Sequence, residues 1–99
     1  MDLKEAAQHC ERAWAQYAEK ANIRREPDSF FLLKLQEELG ELTRSYLETQ
    51  GSEATRKTPE ELKRKIQGDC VSVIGNALVM ALRFGVDIEA KILEKFPVK

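Results

Sequence analysis

The chain has 99 residues, with 16 Lys and Arg against 17 Asp and Glu and a formal net charge of −1. This balance argues against a dedicated nucleic-acid binder, and a hydrophobic fraction of 42% argues against a disordered chain. We expect one domain, residues 1–99, whose core is small. An all-helical domain of this size is expected to need a partner chain.

The sequence also predicts a compartment. Cys10 and Cys70 are too few for a disulfide framework. The first residues have neither the basic nor the apolar region of a signal peptide. The longest apolar run, residues 77–82, is far shorter than the ~20 residues of a membrane span. We therefore expect a reduced, cytoplasmic protein without a membrane segment.

Four helices are predicted, taken here in chain order. Residues 2–21 are rich in helix formers, with apolar side chains every three or four positions. After a connection at residues 22–27, Asp28 or Ser29 is expected to cap a second helix that runs to about Thr49. The two apolar stripes predicted to face the core are Leu3, Ala7, Cys10, Trp14 and Tyr17, then Phe31, Leu32, Leu35, Leu39, Leu42 and Tyr46.

The second half begins with a polar segment, residues 50–58, that we interpret as a mobile loop. Three helix-start signals, a capping box with proline at the first helical position, close this segment: Thr58, Pro59 and Glu61. The third helix is expected to reach about Phe84 and to stop at Gly85. Asp87 is expected to cap a short fourth helix over residues 88–96.

One face of the second helix carries polar side chains beside the apolar stripe: Lys34, Glu38, Glu41 and Ser45. Glu38 and Glu41 lie one turn apart, so they can share a divalent cation, and Mg²⁺ prefers such oxygen ligands. A solvated charged face shows the same spacing. Gly40 between them costs the helix ~1 kcal/mol relative to Ala, for which we expect close helix packing as the reason.

The third helix is almost entirely apolar over residues 70–82, yet a polar stripe interrupts it at Asp69, Ser72 and Asn76. Buried polar groups need partners. Two explanations are open: a carboxylate pair from the second helix bridged by a metal and water, or a hydrogen-bond network that fixes helix register. The neighbouring apolar stripe is Ile66, Cys70, Val73, Ala77 and Ala81.

Two segments resemble a known family. KLQEELGEL, residues 34–42, closely resembles the first metal motif of the MazG-like nucleotide pyrophosphohydrolases, and LRFGVDIE, residues 82–89, resembles that family's exit from its third helix. The resemblance covers roughly residues 30–96. It implies an all-α, MazG-like helical bundle that completes its core by oligomerisation, as a homodimer or homotetramer.

The same resemblance implies an activity: Mg²⁺-dependent, or Mn²⁺-dependent, hydrolysis of a nucleoside triphosphate to the monophosphate and pyrophosphate, in the service of nucleotide-pool house-cleaning. No nucleic-acid polymer is expected as a partner. The implied site residues are Glu38, Glu41 and Asp69 as metal ligands, Glu37 and Glu38 as catalytic residues, and Lys34 at the substrate phosphate. Asn76, or alternatively Ser72, is expected to supply a further oxygen ligand to the metal ion.

The family's second metal motif, Glu-x-x-Asp, is incomplete in this chain. A gapless alignment places Asp69 and Ser72 on it, and the other alignment places Ile66 and Asp69. We prefer the first because it needs no insertion within a helix. Either way one carboxylate is missing, which leaves catalysis open. The alternative is a catalytically degenerate relative that acts as a nucleotide-binding or protein-interaction module.

Overall fold

The computed structural model describes residues 1–23 and 27–99, and within these ranges it contains four α-helices and no β-strand. The helices are α1 (Leu3–Lys20), α2 (Pro27–Thr49), α3 (Pro59–Arg83) and α4 (Ile88–Lys95). The prediction of an all-helical chain is confirmed. The connection predicted at residues 22–27 falls largely outside the described residues.

The predicted boundaries of α3 and α4 are confirmed by their capping contacts. Thr58 and Glu61 form a reciprocal capping box, with Pro59 at the first helical position. After α3, Gly85 adopts a left-handed φ of 69°, which a side chain rarely tolerates, and its backbone N–H donates to Leu82. A carboxylate oxygen of Asp87 accepts from the backbone of Ala90 and starts α4.

The predicted cap of α2 is wrong. The helix already begins at Pro27, so Asp28 and Ser29 lie in its first turn. Proline suits a first helical position because its fixed φ is helical and its missing N–H would have no helical partner there. The predicted start of α2 was one or two residues too late because the prediction relied on the capping side chains and not on this proline.

Both long neighbours of α3 run antiparallel to it. Along α2, Ser45 contacts Asp69 near the connecting loop, while Phe31 contacts Arg83 at the far end. Along α1, Leu3 lines a cleft with Leu82 at one end and Tyr17 lines another with Val71 at the other end. Between them, a Cβ added to Gly75 would lie 3.3 Å from the sulfur of Cys10. The helices α1 and α3 therefore pack closely at a glycine. A Cβ on Gly40 of α2 would meet no described atom within 4 Å, so the prediction that Gly40 allows close helix packing is wrong for this chain.

The core of the described chain is small and centred on Phe31, whose side chain is fully buried. The ring packs edge-on against Phe30 at 5.2 Å and Trp14 at 6.5 Å, and the Arg83 guanidinium lies 4.8 Å from its centre. The other buried apolar side chains are Ala7, Ala18, Leu62 and Val79. Tyr17, predicted in the core, is 53% exposed.

Much of the apolar stripe predicted on α2 faces outward. Leu32, Leu39 and Tyr46, spaced by seven residues, are 47%, 52% and 55% exposed. The chain has an accessible surface of 7666 Å², whereas a compact monomer of 11.3 kDa would have about 5,700 Å². Its radius of gyration is 15.8 Å, against about 12.6 Å for a compact domain of this length. The single chain therefore exposes more surface than a compact monomer of the same mass.

Among the described residues, no single helix is long and apolar enough to cross a membrane. The helices α3 and α4 meet the length and composition only when they are taken together, and they are bent by 106° relative to each other.

Replacing Phe31 by alanine tests this description of the core. Deleting a fully buried aromatic ring costs about 3–5 kcal/mol, so we expect Phe31→Ala to lower the melting temperature by more than about 10 °C. Leu33→Ala is the matched control on the same helix, since its side chain is 63% exposed. Equal effects of the two substitutions in thermal unfolding would contradict the burial described here.

Candidate metal centre

The packing of α2 against α3 brings three carboxylates together. Glu38 and Glu41, one turn apart on α2, face Asp69 on α3, and one oxygen from each lies within 4.8 Å of the other two. Asp69 is buried, Glu38 is half-buried and Glu41 is exposed. We call these three residues the acidic trio. Three hard oxygen donors at this separation fit one Mg²⁺ or Mn²⁺ ion, with water completing its coordination.

Asp69 is held in place from two sides. The Ser45 hydroxyl donates a hydrogen bond of 2.7 Å to one carboxylate oxygen. The Lys65 ammonium, one turn back along α3, donates to both oxygens at 2.9 and 3.2 Å. Burial by itself would raise the pKa of Asp69, but the hydrogen bonds from Lys65 and Ser45 outweigh it and lower the pKa of this carboxyl below its ordinary value.

Glu38 is affected in the opposite direction. Burial, followed by the negative charge of Glu41, raises the pKa of the Glu38 carboxyl, and the Lys34 charge only partly offsets this. The ionised form of Glu38 is therefore disfavoured in this position, and a nearby cation would favour it.

Two further predicted site residues lie beside the trio and pair with each other. The Lys34 ammonium contacts the Glu37 carboxylate at 3.1 Å and lies 5.2 Å from the centre of the Trp14 ring. Glu37 itself is exposed. The structure therefore places Lys34 between the trio and α1, and Glu37 on the surface next to Glu38.

Asn76 is positioned differently from the prediction. It lies seven residues beyond Asp69, which is about 10 Å along the helix axis. Its buried side-chain amide donates 2.9 Å to the carbonyl of Ser72, and its Oδ1 has no hydrogen-bond partner among the described residues. The trio forms without Asn76, and its role as a metal ligand stays a prediction.

The two alignments of the second motif share Asp69, and this is the α3 residue that joins the two glutamates of α2. Ile66 and Ser72, the residues on which the alignments differ, lie one turn to either side and are both half-buried. Ile66 lines a cleft with Thr49 and Pro59, whereas Ser72 lines a different cleft with Trp14 and Asn76.

A polar cleft of about 530 Å³ adjoins the trio and is lined by Glu41, Ser45 and the irregular segment before α3. Four cationic side chains line it: Arg44, Arg56, Lys57 and Lys65. Lys57 contacts the Glu48 carboxylate at 3.4 Å and ties the segment to α2. The polar segment predicted from the sequence therefore forms one wall of the cleft.

Lys65 was not among the site residues expected from the sequence. Its spacing of four residues from Asp69 was the available signal, since such pairs share a helix face. The link between Arg83 and Glu11 at 2.8 Å was also missed, because these residues lie on different helices and no local spacing relates them.

Comparisons with protein-family models, with curated proteins and with solved structures give no match to this chain. The resemblance to the MazG-like family therefore rests on the two sequence motifs alone and stays an expectation.

Removing the Ser45 hydroxyl tests the hydrogen bond to Asp69. Loss of one partner of a buried carboxylate costs about 1–3 kcal/mol, so Ser45→Ala should lower the free energy of unfolding at neutral pH. The lowered pKa of Asp69 means that its stabilisation is present above the ordinary pKa and is lost as pH falls through the folded value. The difference between wild type and variant should therefore shrink towards pH ~3.

Urea unfolding at neutral and acidic pH measures this difference. Thr43→Ala is the matched control, since it removes a hydroxyl that bonds only the backbone of the same helix at Leu39. A Ser45→Ala effect that is as independent of pH as the control would show that Asp69 does not carry it.

A second substitution tests the charge repulsion among the three carboxylates of the trio. Since the pKa of Glu38 is raised, its contribution to stability is present below the ordinary pKa and is lost as pH rises through the folded value. Glu38→Gln should therefore raise the melting temperature of the ion-free protein at neutral pH, because a repelled and partly buried negative charge is removed. It should also reduce the further rise that millimolar Mg²⁺ produces by binding the native state.

Thermal unfolding with and without Mg²⁺ measures both the melting temperature of the ion-free protein and its rise on adding Mg²⁺. Glu37→Gln is the control, because this exposed neighbour lies outside the trio. A lower melting temperature for ion-free Glu38→Gln, or an unchanged Mg²⁺ response, would argue against the arrangement of charges described here.

Proposed function

We propose that this chain is a Mg²⁺-dependent nucleoside triphosphate pyrophosphohydrolase of the MazG-like type, with Mn²⁺ as an alternative ion. The convergence of Glu38, Glu41 and Asp69 across two helices is the observation that carries the proposal. These are the three carboxylates that the resemblance assigns to the metal, and Asp69 lies on a different helix from the two glutamates. A solvated charged face of α2 alone would not require Asp69 to join them.

The trio and its neighbours divide the work of hydrolysis. An ion held by the trio would neutralise charge on the phosphates and orient them. Glu38 would help to hold the ion that activates the attacking water, and exposed Glu37, next to it on α2, would position that water. Lys34 turns from Glu37 towards a phosphate oxygen when substrate arrives, since its ammonium is a compact phosphate donor.

The incomplete second motif limits what the site can hold. Three carboxylates carry one negative charge less than the family's four, and Lys65 offsets part of the remainder. Mg²⁺ commonly keeps several water ligands, so three carboxylates suffice for one ion. A second ion would need donors that come from the substrate phosphates.

We also propose that two or four copies of the chain assemble through α2. The accessible surface exceeds that of a compact monomer by nearly 2,000 Å², and a stable interface needs about 800 Å² from each partner. Leu32, Leu39 and Tyr46 are outward-facing at the seven-residue spacing with which helices pair. A second copy would cover this stripe and enlarge a core that is small in the single chain.

Pyrophosphate release from a panel of ribo- and deoxyribonucleoside triphosphates tests the activity. We expect release that requires Mg²⁺ and falls at least about 100-fold in Glu41→Gln, because an ion ligand is lost. Glu19→Gln is the control for a charge change outside the site and should retain full activity. No release from folded protein that still binds Mg²⁺ and nucleotide would favour the alternative, a catalytically degenerate binding module.

Light scattering coupled to size-exclusion chromatography tests the assembly. We expect the wild type at two or four times 11.3 kDa, and Leu39→Glu as a monomer, since a buried unpaired charge is costly at an interface. Leu33→Glu changes another leucine that is more than half exposed, about 120° around the same helix from Leu39, and should leave the assembly intact. A monomeric wild type would contradict the proposed assembly.

A further inference from the structure

The Lys65 ammonium contacts two carboxylates of the acidic trio, where a metal ion would also bind. Its ammonium donates to both oxygens of Asp69, at 2.9 and 3.2 Å, and lies 3.8 Å from the carboxylate of Glu41. It is thus a monovalent cation bound by two of the three residues that would ligate a divalent one. Its side chain is nevertheless 40% exposed, so the ammonium is not enclosed.

The same side chain also borders the cleft beside the trio. Arg44 and Arg56 line this cleft together with Lys65 and with Lys57, which contacts Glu48 at 3.4 Å. The other carboxylates in its lining are Glu41 and Glu53. Such a group of cations next to a carboxylate ion site matches the chemistry of a polyphosphate, whose oxygens bind a metal ion and protein cations at once.

We propose that Lys65 is an exchangeable counter-ion, which neutralises Asp69 and Glu41 until a divalent cation replaces it and which then binds a phosphate group of the substrate in the cleft. This inference rests on the proposed function and deepens it. An ion in contact with the carboxylate oxygens repels an ammonium about 3 Å from the same oxygens. The long, flexible lysine stem allows the head group to move while the helix stays in place.

The exchange has two consequences of opposite sign. Without substrate, Lys65 competes with the metal ion and weakens its binding. With the ion bound, the freed ammonium strengthens phosphate binding. A lysine that only stabilised α3 would change neither affinity beyond the effect of its charge on the whole protein.

Binding of Mn²⁺ alone, followed by electron paramagnetic resonance, measures the first consequence. We expect Lys65→Gln to bind the ion about three- to tenfold more tightly than wild type, as expected for the loss of a competing charge-assisted hydrogen bond. Lys63→Gln is the matched control, because it removes the same charge from α3 two residues away and does not line the cleft.

Binding of inorganic pyrophosphate in saturating Mg²⁺, followed by calorimetry, measures the second consequence. Here Lys65→Gln should bind at least about threefold more weakly than Lys63→Gln, because a cationic phosphate donor is lost. Circular dichroism confirms that both variants retain their helices.

The outcomes separate this inference from the proposed function. If wild type binds Mn²⁺ and Lys65→Gln binds it no more tightly than Lys63→Gln, the exchange is overturned while the metal site stands. The same holds if pyrophosphate affinity is equal in the two variants. If neither wild type nor Lys65→Gln binds Mn²⁺, the proposed function falls and the exchange falls with it.

Discussion

The antiparallel packing of α2 on α3 is the constraint on which the rest of the structure depends. It buries Phe31 at one end of the pair and joins Ser45 to Asp69 near the other. Between these points, the turn of α2 that carries Glu38 and Glu41 must face Asp69. A shift by one residue in the register of either helix would rotate this face away and separate the carboxylates. The hydrogen bond between Ser45 and Asp69 therefore both fixes the register and builds the site.

The charges around the three carboxylates of the trio partly balance one another. Three carboxylates in one place repel one another, and the raised pKa of Glu38 reflects burial together with that repulsion. Lys65 and Ser45 relieve it at Asp69, whose pKa is lowered instead. The two explanations that the sequence left open for the polar stripe of α3 are thus compatible. Asp69 belongs to a hydrogen-bond network that fixes the helices and to a set of oxygens that fits a cation.

The sequence was sufficient for features that depend on local spacing. It predicted the helices, the capping box at Thr58 and the stop at Gly85. The meeting of Glu38 and Glu41 with Asp69 was expected only from the resemblance to the MazG-like family. The sequence was insufficient where contacts cross between helices. The pairing of Arg83 with Glu11, the position of Asn76 and the packing glycine at Gly75 all depend on how the helices are set against each other. The exposure of Leu39 reflects surface that a single chain does not cover.

Anomalous scattering from a crystal grown with Mn²⁺ would show whether the acidic trio binds a divalent cation. We expect a manganese peak at bonding distance from carboxylate oxygens of Glu38, Glu41 and Asp69, with the Lys65 ammonium moved away from Asp69. Mn²⁺ bound only elsewhere, with Lys65 still in contact with Asp69, would exclude the trio as the cation site.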